Sequence, residues 1–524
     1  MLKTCITAVA LLSGPAMASV GPSPTPSLAP TGCNDGPRAT SSGIPACEAL
    51  KDAGLGDRLL FPTDPGYEPQ IESWWAENAR LRPYCLVLPR NSGEVSTALT
   101  ALVDTNDGAG DWDIAVRSGG HSSIGSSNTA HGVTIDLSAM NSTSYDPQSN
   151  IAKIEPGGRW KNVFADLDMH GVTVAGGRDG GVGVGGFLLG GGISFFSGKR
   201  GFGCDSVVNF EVVLANGTIV NANQTTNADL WRALKGGGNN FGIVTRFDLE
   251  AIPARDLYYD LRFLDSAYSD SVVDAVVRFA DQDQSLADDH LVTFYSYNTS
   301  VSSEIYVCTI HVNTMGNKNS ATALHEIEDL PVIANVTVFQ SMAEAAAGSQ
   351  IPPGYRNAAS TLTFYNDPEI VRRCIEVHAQ LVETLKGFIN PDKFSTMLVF
   401  QSIPTYMGTI GQQRGGNMLG LDDMQHNALI WTAGVAVDSD LDQRAFAMAH
   451  AEVNKMTALV KEFSRSVHGD MDFVYINYAD TSQDPLGSYG IRNIEHMREV
   501  AAKYDPTGIF QERVSGGFKI SKVA

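Results

Sequence analysis

The stretch from residue 176 to 192 constrains this chain more than any other part of it. It holds Gly176, Gly177, Gly180, Gly181, Gly183, Gly185, Gly186, Gly190, Gly191 and Gly192. Such a run cannot carry a long helix, because each glycine costs a helix about 1 kcal/mol against alanine. What it permits is backbone of unusual conformation and close approach of main chain to a ligand. A second loop of the same character, Arg117-Ser118-Gly119-Gly120-His121, follows the short apolar strand Asp113 to Val116. Successive backbone N–H groups in such turns cradle anions. The pair of loops therefore predicts a phosphorylated cofactor held largely by main chain. Two tight turns packed on each other are the plainer alternative.

Two nucleotide-binding patterns fit poorly. Gly181-Val182-Gly183-Val184-Gly185-Gly186 satisfies G-x-G-x-x-G, and Asp205 lies downstream where a ribose-binding acid belongs. A dinucleotide fingerprint should open a helix, however, and Gly190-Gly191-Gly192 follow at once. No Gly-Lys-Ser/Thr follows any glycine run, which excludes a P-loop. The net charge of −21, with no basic run longer than Lys199-Arg200, disfavours nucleic acid and anionic membranes as partners. No CxxC is present, so neither a zinc ribbon nor a thioredoxin-type site is expected, and no metal site is predicted.

The N-terminus reads as a signal peptide, with Lys3, an apolar stretch from Ile6 to Leu12, and Ala16-Met17-Ala18 as cleavage site. Sequons start at Asn141, Asn216, Asn223, Asn298 and Asn335, in keeping with a secreted glycoprotein. Cys33, Cys47 and Cys85 cluster early, where a disulfide suits an oxidising compartment, but spacing does not choose the pair. No stretch is long and apolar enough to span a bilayer.

A chain of 524 residues should form two or three units. Residues 19–46 are rich in Pro, Ser, Gly and Thr and read as flexible, with order starting near Cys47. Short strands are predicted at 84–88, 113–116, 133–137 and 151–154. A helix capped by Ser92 is expected to Val103. An amphipathic helix is expected over 159–170, burying Trp160, Val163, Phe164 and Leu167. A hairpin turned at Asn216-Gly217 joins strands at 210–214 and 217–220, and 241–244 is another strand. Beyond Pro253 glycine thins out, and strands alternate with longer helices such as 368–386 and 442–462. From Phe473 the chain is expected to return to short strand and turn.

Ala115-Val116-Arg117-Ser118-Gly119-Gly120-His121-Ser122 resembles the cofactor-attachment loop of the berberine-bridge-enzyme-like flavoproteins, which share the vanillyl-alcohol-oxidase or p-cresol-methylhydroxylase (PCMH) type of FAD-binding fold. The likeness continues through 133–137, Glu155-Pro156-Gly157-Gly158, 181–192, Leu230 to Gly238, Tyr475-Ile476-Asn477-Tyr478-Ala479-Asp480 and Tyr504-Asp505-Pro506, in order over nearly the whole mature chain. It implies an α+β fold: a two-part FAD-binding domain and an antiparallel-sheet substrate domain backed by helices. The units would be signal peptide 1–18, flexible segment 19–46, FAD-binding domain 47–253, substrate domain 254–470, and a segment 471–524 returning to the FAD-binding domain.

The resemblance also implies site residues. His121 would bond to the flavin 8α-methyl carbon, as a neutral imidazole is a competent nucleophile. Arg117, Ser118, Gly119, Gly120, Ser122 and Ser123 would wrap the pyrophosphate. Gly181, Gly183, Gly185, Gly186, Ile243, Val244 and Asn477 would line the cofactor. Relatives with a second, cysteinyl bond carry that cysteine just before Val-Gly-Gly; Gly183 takes the place here and Cys204 does not match, so a single bond is expected. Of strand 397–401 only Gln401 is polar, and it can bind but not act as base. Tyr475 and Tyr478 are the candidate bases, on opposite faces if the segment is a strand. A tyrosine takes that role only beside a group such as a cation that stabilises its anion. The implied activity is oxidation of a small molecule by hydride transfer to flavin, with O₂ as final acceptor and H₂O₂ as product. Tailoring of a secondary metabolite, including oxidative cyclisation, is the leading reading. A carbohydrate oxidase and a non-catalytic flavin-fold binding protein are the alternatives.

Overall fold

The computed structural model describes residues 43–105 and 112–524. The expected signal peptide, its cleavage site, Cys33 and most of the N-terminal flexible segment lie outside the described residues. The first described helix, Pro45–Leu50, begins slightly ahead of the expected Cys47. Cys47 is bonded to Cys85, which resolves the pairing left open above.

Two sheets build the first half. One contains β1 (Leu59–Leu60), β2 (Cys85–Val87), β3 (Asp113–Arg117) and β4 (Gly132–Asp136) in the order β1-β2-β4-β3, with β4 parallel to both β2 and β3. The other contains β5 (Thr143–Asp146) and β6 (Ile151–Ile154), followed after the short β7 (Val172–Thr173) by β8 (Val207–Val213), β9 (Ile219–Asn223) and β10 (Ile243–Glu250). It is antiparallel in the order β5-β6-β10-β8-β9. β7 pairs with β11 (Ile252–Pro253). The β8–β9 hairpin turns where expected, with Gly217 at φ +79°. The helix Trp160–Asp168 buries Trp160, Val163, Phe164 and Leu167 as its pattern requires. The helix Ser92–Asp104 is capped by Asn91, whose side chain accepts from Glu94 N, rather than by Ser92. Asn91 is the residue still in extended conformation, the geometry a cap needs.

The second half is one eight-stranded antiparallel sheet. Its strands are β12 (Leu257–Asp265), β13 (Asp289–Asn298), β14 (Ser302–Asn313), β15 (Ala334–Gln340), β16 (Arg356–Tyr365), β17 (Phe394–Ile403), β18 (Ala428–Val437) and β19 (Asp470–Met471), in the order β15-β12-β14-β13-β17-β18-β16-β19. Helices Ser269–Ala280, Pro368–Lys386 and Gln443–Ser466 cover one face. Strand alternation assigns the faces. Leu291, Tyr295, Leu398, Phe400 and Trp431 pack under the helices, whereas Val292, Phe294, Met397, Val399 and Gln401 point the other way, into a cavity.

After Phe473 the chain differs from expectation. It forms a turn at 476–478 and then the helices Ile491–Tyr504 and Ile509–Glu512. The longer helix buries Asn493, Ile494, Met497, Val500 and Ala501, a 3.6-residue stripe that the sequence reading overlooked. No helix of the described residues is long and apolar enough to cross a membrane.

Candidate functional site

A cavity of about 770 Å³ lies between the glycine loops and the uncovered face of the large sheet. Its floor starts where β3 ends. Arg117, the last residue of β3, turns inward: it is 1% exposed, pairs with Asp136 at 2.9 Å and lies 3.5 Å over the Trp74 ring. Its side chain thus anchors the loop from below. Gly119, Gly120, His121, Ser122 and Ser123 line the cavity.

The two glycine loops touch each other. Ser118 Oγ donates to Pro156 O (2.6 Å) and accepts from Gly185 N (3.0 Å). A Cβ on Gly119 would sit 2.5 Å from Gly183 Cα, so neither residue has room for a side chain. Gly183, Gly185 and Gly186 line the cavity, as do Ile243, Val244 and Asn477. Gly181 lies behind: its N–H donates to Asp179 Oδ1 (2.6 Å) and its carbonyl accepts from Arg159. Contrary to the expectation that the following glycines would prevent it, a helix of one and a half turns opens here, Val184–Leu189, with Gly190 at its end. Glycine at 190–192 limits that helix without forbidding it.

His121 stacks on Trp75, with ring centroids 4.6 Å apart and planes 8° from parallel. Its Nε2 is buried, accepts and donates no hydrogen bond, and lies 3.8 Å from Asp179 Oδ2. Burial, reinforced by Arg159, pulls the imidazole down to about 4, so it is neutral at ordinary pH. A neutral imidazole whose Nε2 has no hydrogen-bond partner, on the wall of a glycine-lined cavity, fits a residue that bonds to a flavin ring. Cys204, by contrast, is wholly buried, and burial raises its thiol well above the usual range.

Over the floor the sheet presents an apolar roof, including Leu261, Phe263, Val292, Phe294, Val336 and Val399. Polar residues line it too, among them Ser296, Thr396, Thr432, Lys393 and Asp438, and one polar cluster is built around an arginine. Arg178 Nη1 donates to His290 Nε2 (3.0 Å), and Nη2 donates to Gln401 Oε1 and to the Tyr478 hydroxyl oxygen (3.1 Å). Gln401 lies on β17 between β13 and β18, 3% exposed, so it is no edge residue. Burial and Arg178 hold His290 well below its ordinary value, leaving Nε2 as an acceptor.

The two tyrosines are related by a turn, not by strand alternation: Tyr478 N donates to Tyr475 O (2.9 Å), and the rings meet edge-on at 4.8 Å. Tyr475 is 1% exposed, and its hydroxyl oxygen accepts from Gly192 N (3.0 Å) and Asn477 Nδ2 (3.1 Å). Burial pushes that hydroxyl far up, against ionisation. Asn477 Nδ2 also donates to Phe187 O (3.1 Å), locking the turn to the glycine run. The sequence reading missed Arg178, His290 and Asp179. Arg178 and Asp179 were visible as the two charged residues within the glycine run.

Residues 83–223 match the FAD binding domain family. An FAD-dependent monooxygenase of Aspergillus calidoustus is 34% identical over 479 residues, spanning 91% of this chain and 90% of that protein. One from Emericella nidulans is 34% identical over 478 residues, spanning 91% and 98%. Berberine bridge enzyme from Eschscholzia californica has a TM-score of 0.73 over 90% of this chain and 99% of its own, at 17% identity. Chitooligosaccharide oxidase has a TM-score of 0.70 over 91% and 100%, at 19% identity. These structural likenesses are likenesses of fold, whereas the sequence relatives span about nine tenths or more of both chains. The chain therefore belongs to the berberine-bridge-enzyme-like FAD-linked oxidoreductases, with a PCMH-type FAD-binding fold.

Proposed function

We propose that this protein is a secreted oxidase that holds FAD through one covalent bond from His121 and oxidises a small, mainly apolar metabolite in a secondary-metabolite tailoring step. The observation that carries this reading is the run of aliphatic and aromatic side chains Leu261, Phe263, Val292, Phe294, Val336 and Val399 beside the Arg178–Gln401–Tyr478 cluster. A sugar-binding groove would need polar partners for many hydroxyls, since unmatched buried polar groups are costly. The relatives named FAD-dependent monooxygenases support FAD-dependent redox chemistry in this chain.

FAD, when bound, supplies a two-electron acceptor that O₂ can reoxidise with release of H₂O₂. The chain's own residues then have separable tasks. His121 tethers the cofactor, and the loops at 118–123 and 183–186 hold it by main chain. Tyr478 relays the substrate proton, taking it on its hydroxyl oxygen as its own proton passes to solvent, and the hydrogen bond from Arg178 holds that hydroxyl in place. Gln401 fixes substrate orientation. Tyr475 braces the turn.

The test is peroxide release by purified protein, offered chito- and xylo-oligosaccharides beside aromatic and polyketide-type metabolites. Turnover confined to the second group is expected; turnover of an oligosaccharide would overturn the assignment. Acid-precipitated protein should stay yellow and the His121→Ala variant should not. Colour lost from the unaltered protein on acid treatment would refute the covalent bond.

A further inference from the structure

We propose that Arg178 recognises a negatively charged oxygen on the substrate, so that the molecule oxidised here is an organic anion, a carboxylate or phenolate on an apolar skeleton. This rests on the reading that the cavity below the sheet is the substrate site.

The argument starts from charge. Arginine keeps its proton under all conditions a protein meets. Every hydrogen bond Arg178 makes goes to a neutral acceptor: the imidazole of His290, the amide of Gln401 and the hydroxyl of Tyr478. Among the described residues no carboxylate lies within ion-pair distance of it. Asp179, its neighbour in sequence, turns its carboxylate to the N–H groups of Gly181 (2.6 Å) and Ile351 (2.9 Å) and toward His121. Several arginines that leave solvent are paired: Arg117 with Asp136, Arg246 with Glu211 and Asp248, Arg262 with Asp260. Arg159 and Arg232, like Arg178, hydrogen-bond to uncharged acceptors instead, and of these three Arg178 is the one that lines the cavity.

A cation held against aliphatic and aromatic side chains without a counter-ion is costly, and a protein gains by supplying one. The three neutral acceptors orient the guanidinium without neutralising it. Its Nε–H takes part in none of these bonds and remains for a ligand. The planar fork suits a carboxylate, and a single N–H suits a phenolate. The rest of the roof suits the skeleton: Phe263, Val292, Phe294 and Val399 are apolar, and the other basic chain on the cavity wall, Lys393, is already paired with Asp438 and Asp440.

The experiment is calorimetric titration of the flavin-loaded protein with 2-naphthoate, with its neutral counterpart 2-naphthamide, and with 4-nitrophenol above and below its ionisation. The same titrations are run on Arg178→Gln and Arg178→Lys, with flavin content and melting temperature checking that each variant folds. A charged hydrogen bond is worth on the order of tenfold to a hundredfold in affinity. Unaltered protein should bind an anionic probe at least tenfold tighter than the neutral form. Arg178→Gln should erase that preference, the anionic probe losing at least tenfold more affinity than 2-naphthamide, and Arg178→Lys should keep part of it. The anion with the larger preference identifies the class. Equal affinity for charged and neutral probes, or a preference that survives Arg178→Gln, overturns the proposal yet leaves the apolar substrate site standing. If no probe binds, both fall. Binding is measured without turnover, so failure of the oxidase assignment alone would leave the anion preference intact.

Discussion

Replacing Gly183 by alanine tests the contact that joins the two glycine loops. Gly183 is extended, at φ −80° and ψ 150°, so an alanine there is not strained in its own backbone. The cost is purely steric. Its Cβ would lie 2.3 Å from Gly119 N and 2.5 Å from Gly119 Cα. To reach ordinary contact at 3.4 Å the loops would have to part by about 1 Å, against close-packed surroundings. Overpacking of this kind costs about 1–3 kcal/mol. Gly183→Ala should therefore melt a few degrees lower and carry less flavin. Gly186→Ala is the matched control. A Cβ on Gly186 meets no protein atom within 4 Å, although Gly186 lines the same cavity. It also sits inside the helix Val184–Leu189, where alanine is the better residue by about 0.5–1 kcal/mol. Gly186→Ala should leave the fold as stable as before or more so, and still reduce flavin loading, because its methyl group enters the cofactor's space. The readouts are visible flavin absorbance per protein and the melting temperature. A Gly183→Ala protein with full flavin and unchanged melting would refute the loop contact. Full loading in Gly186→Ala would move the cofactor away from this wall.

Other expectations follow from the same geometry. Tyr478→Phe should slow flavin reduction by about 10²–10⁴-fold with flavin retained, the range for loss of a general base. Tyr475→Phe, which loses hydrogen bonds from Gly192 and Asn477, should lower melting temperature and leave the reduction rate nearly unchanged; rapid mixing separates the two, and the reverse pattern would exchange their roles. The His450–Asp480 pair, 2.6 Å apart, ties the helix Gln443–Ser466 to the segment after the tyrosine turn. Its hydrogen bond holds Asp480 down at about 2 and raises His450 above 6.5. The aspartate contribution is present above its unfolded value near 3.8 and is lost as pH falls toward 2. The histidine contribution is complete below 6.5 and fades as pH rises through the raised value. Thermal melts should thus show the pair's benefit greatest between about pH 4 and 6.5, and His450→Gln should remove that excess. A variant melting parallel to the unaltered protein at every pH would exclude the linkage.

The sequence by itself determined what depends on local chemistry. Glycine at 119, 183 and 185 marked a place where two loops meet by close backbone approach, a property of the residues themselves, whereas His121 entered through the family resemblance. Periods of 2 and 3.6 located most strands and helices because burial of one face leaves its spacing in the chain. The family resemblance, with Gln401 the only polar residue of strand 397–401, made it a candidate for the cavity before the sheet order was known. Tertiary structure decided the rest. Arg178 meets His290, Gln401 and Tyr478 across separations of 112, 223 and 300 residues. That meeting depends on the register of β13 with β17, where Val292 pairs with Gln401, and on the turn after Phe473. Register and turn are selected by packing among distant elements, and no local pattern encodes them. For the same reason the two tyrosines could not be told apart in sequence. Alternation assigned them opposite faces of a strand; the folded chain instead closes a turn there, buries Tyr475 against Gly192 and presents Tyr478 to the arginine.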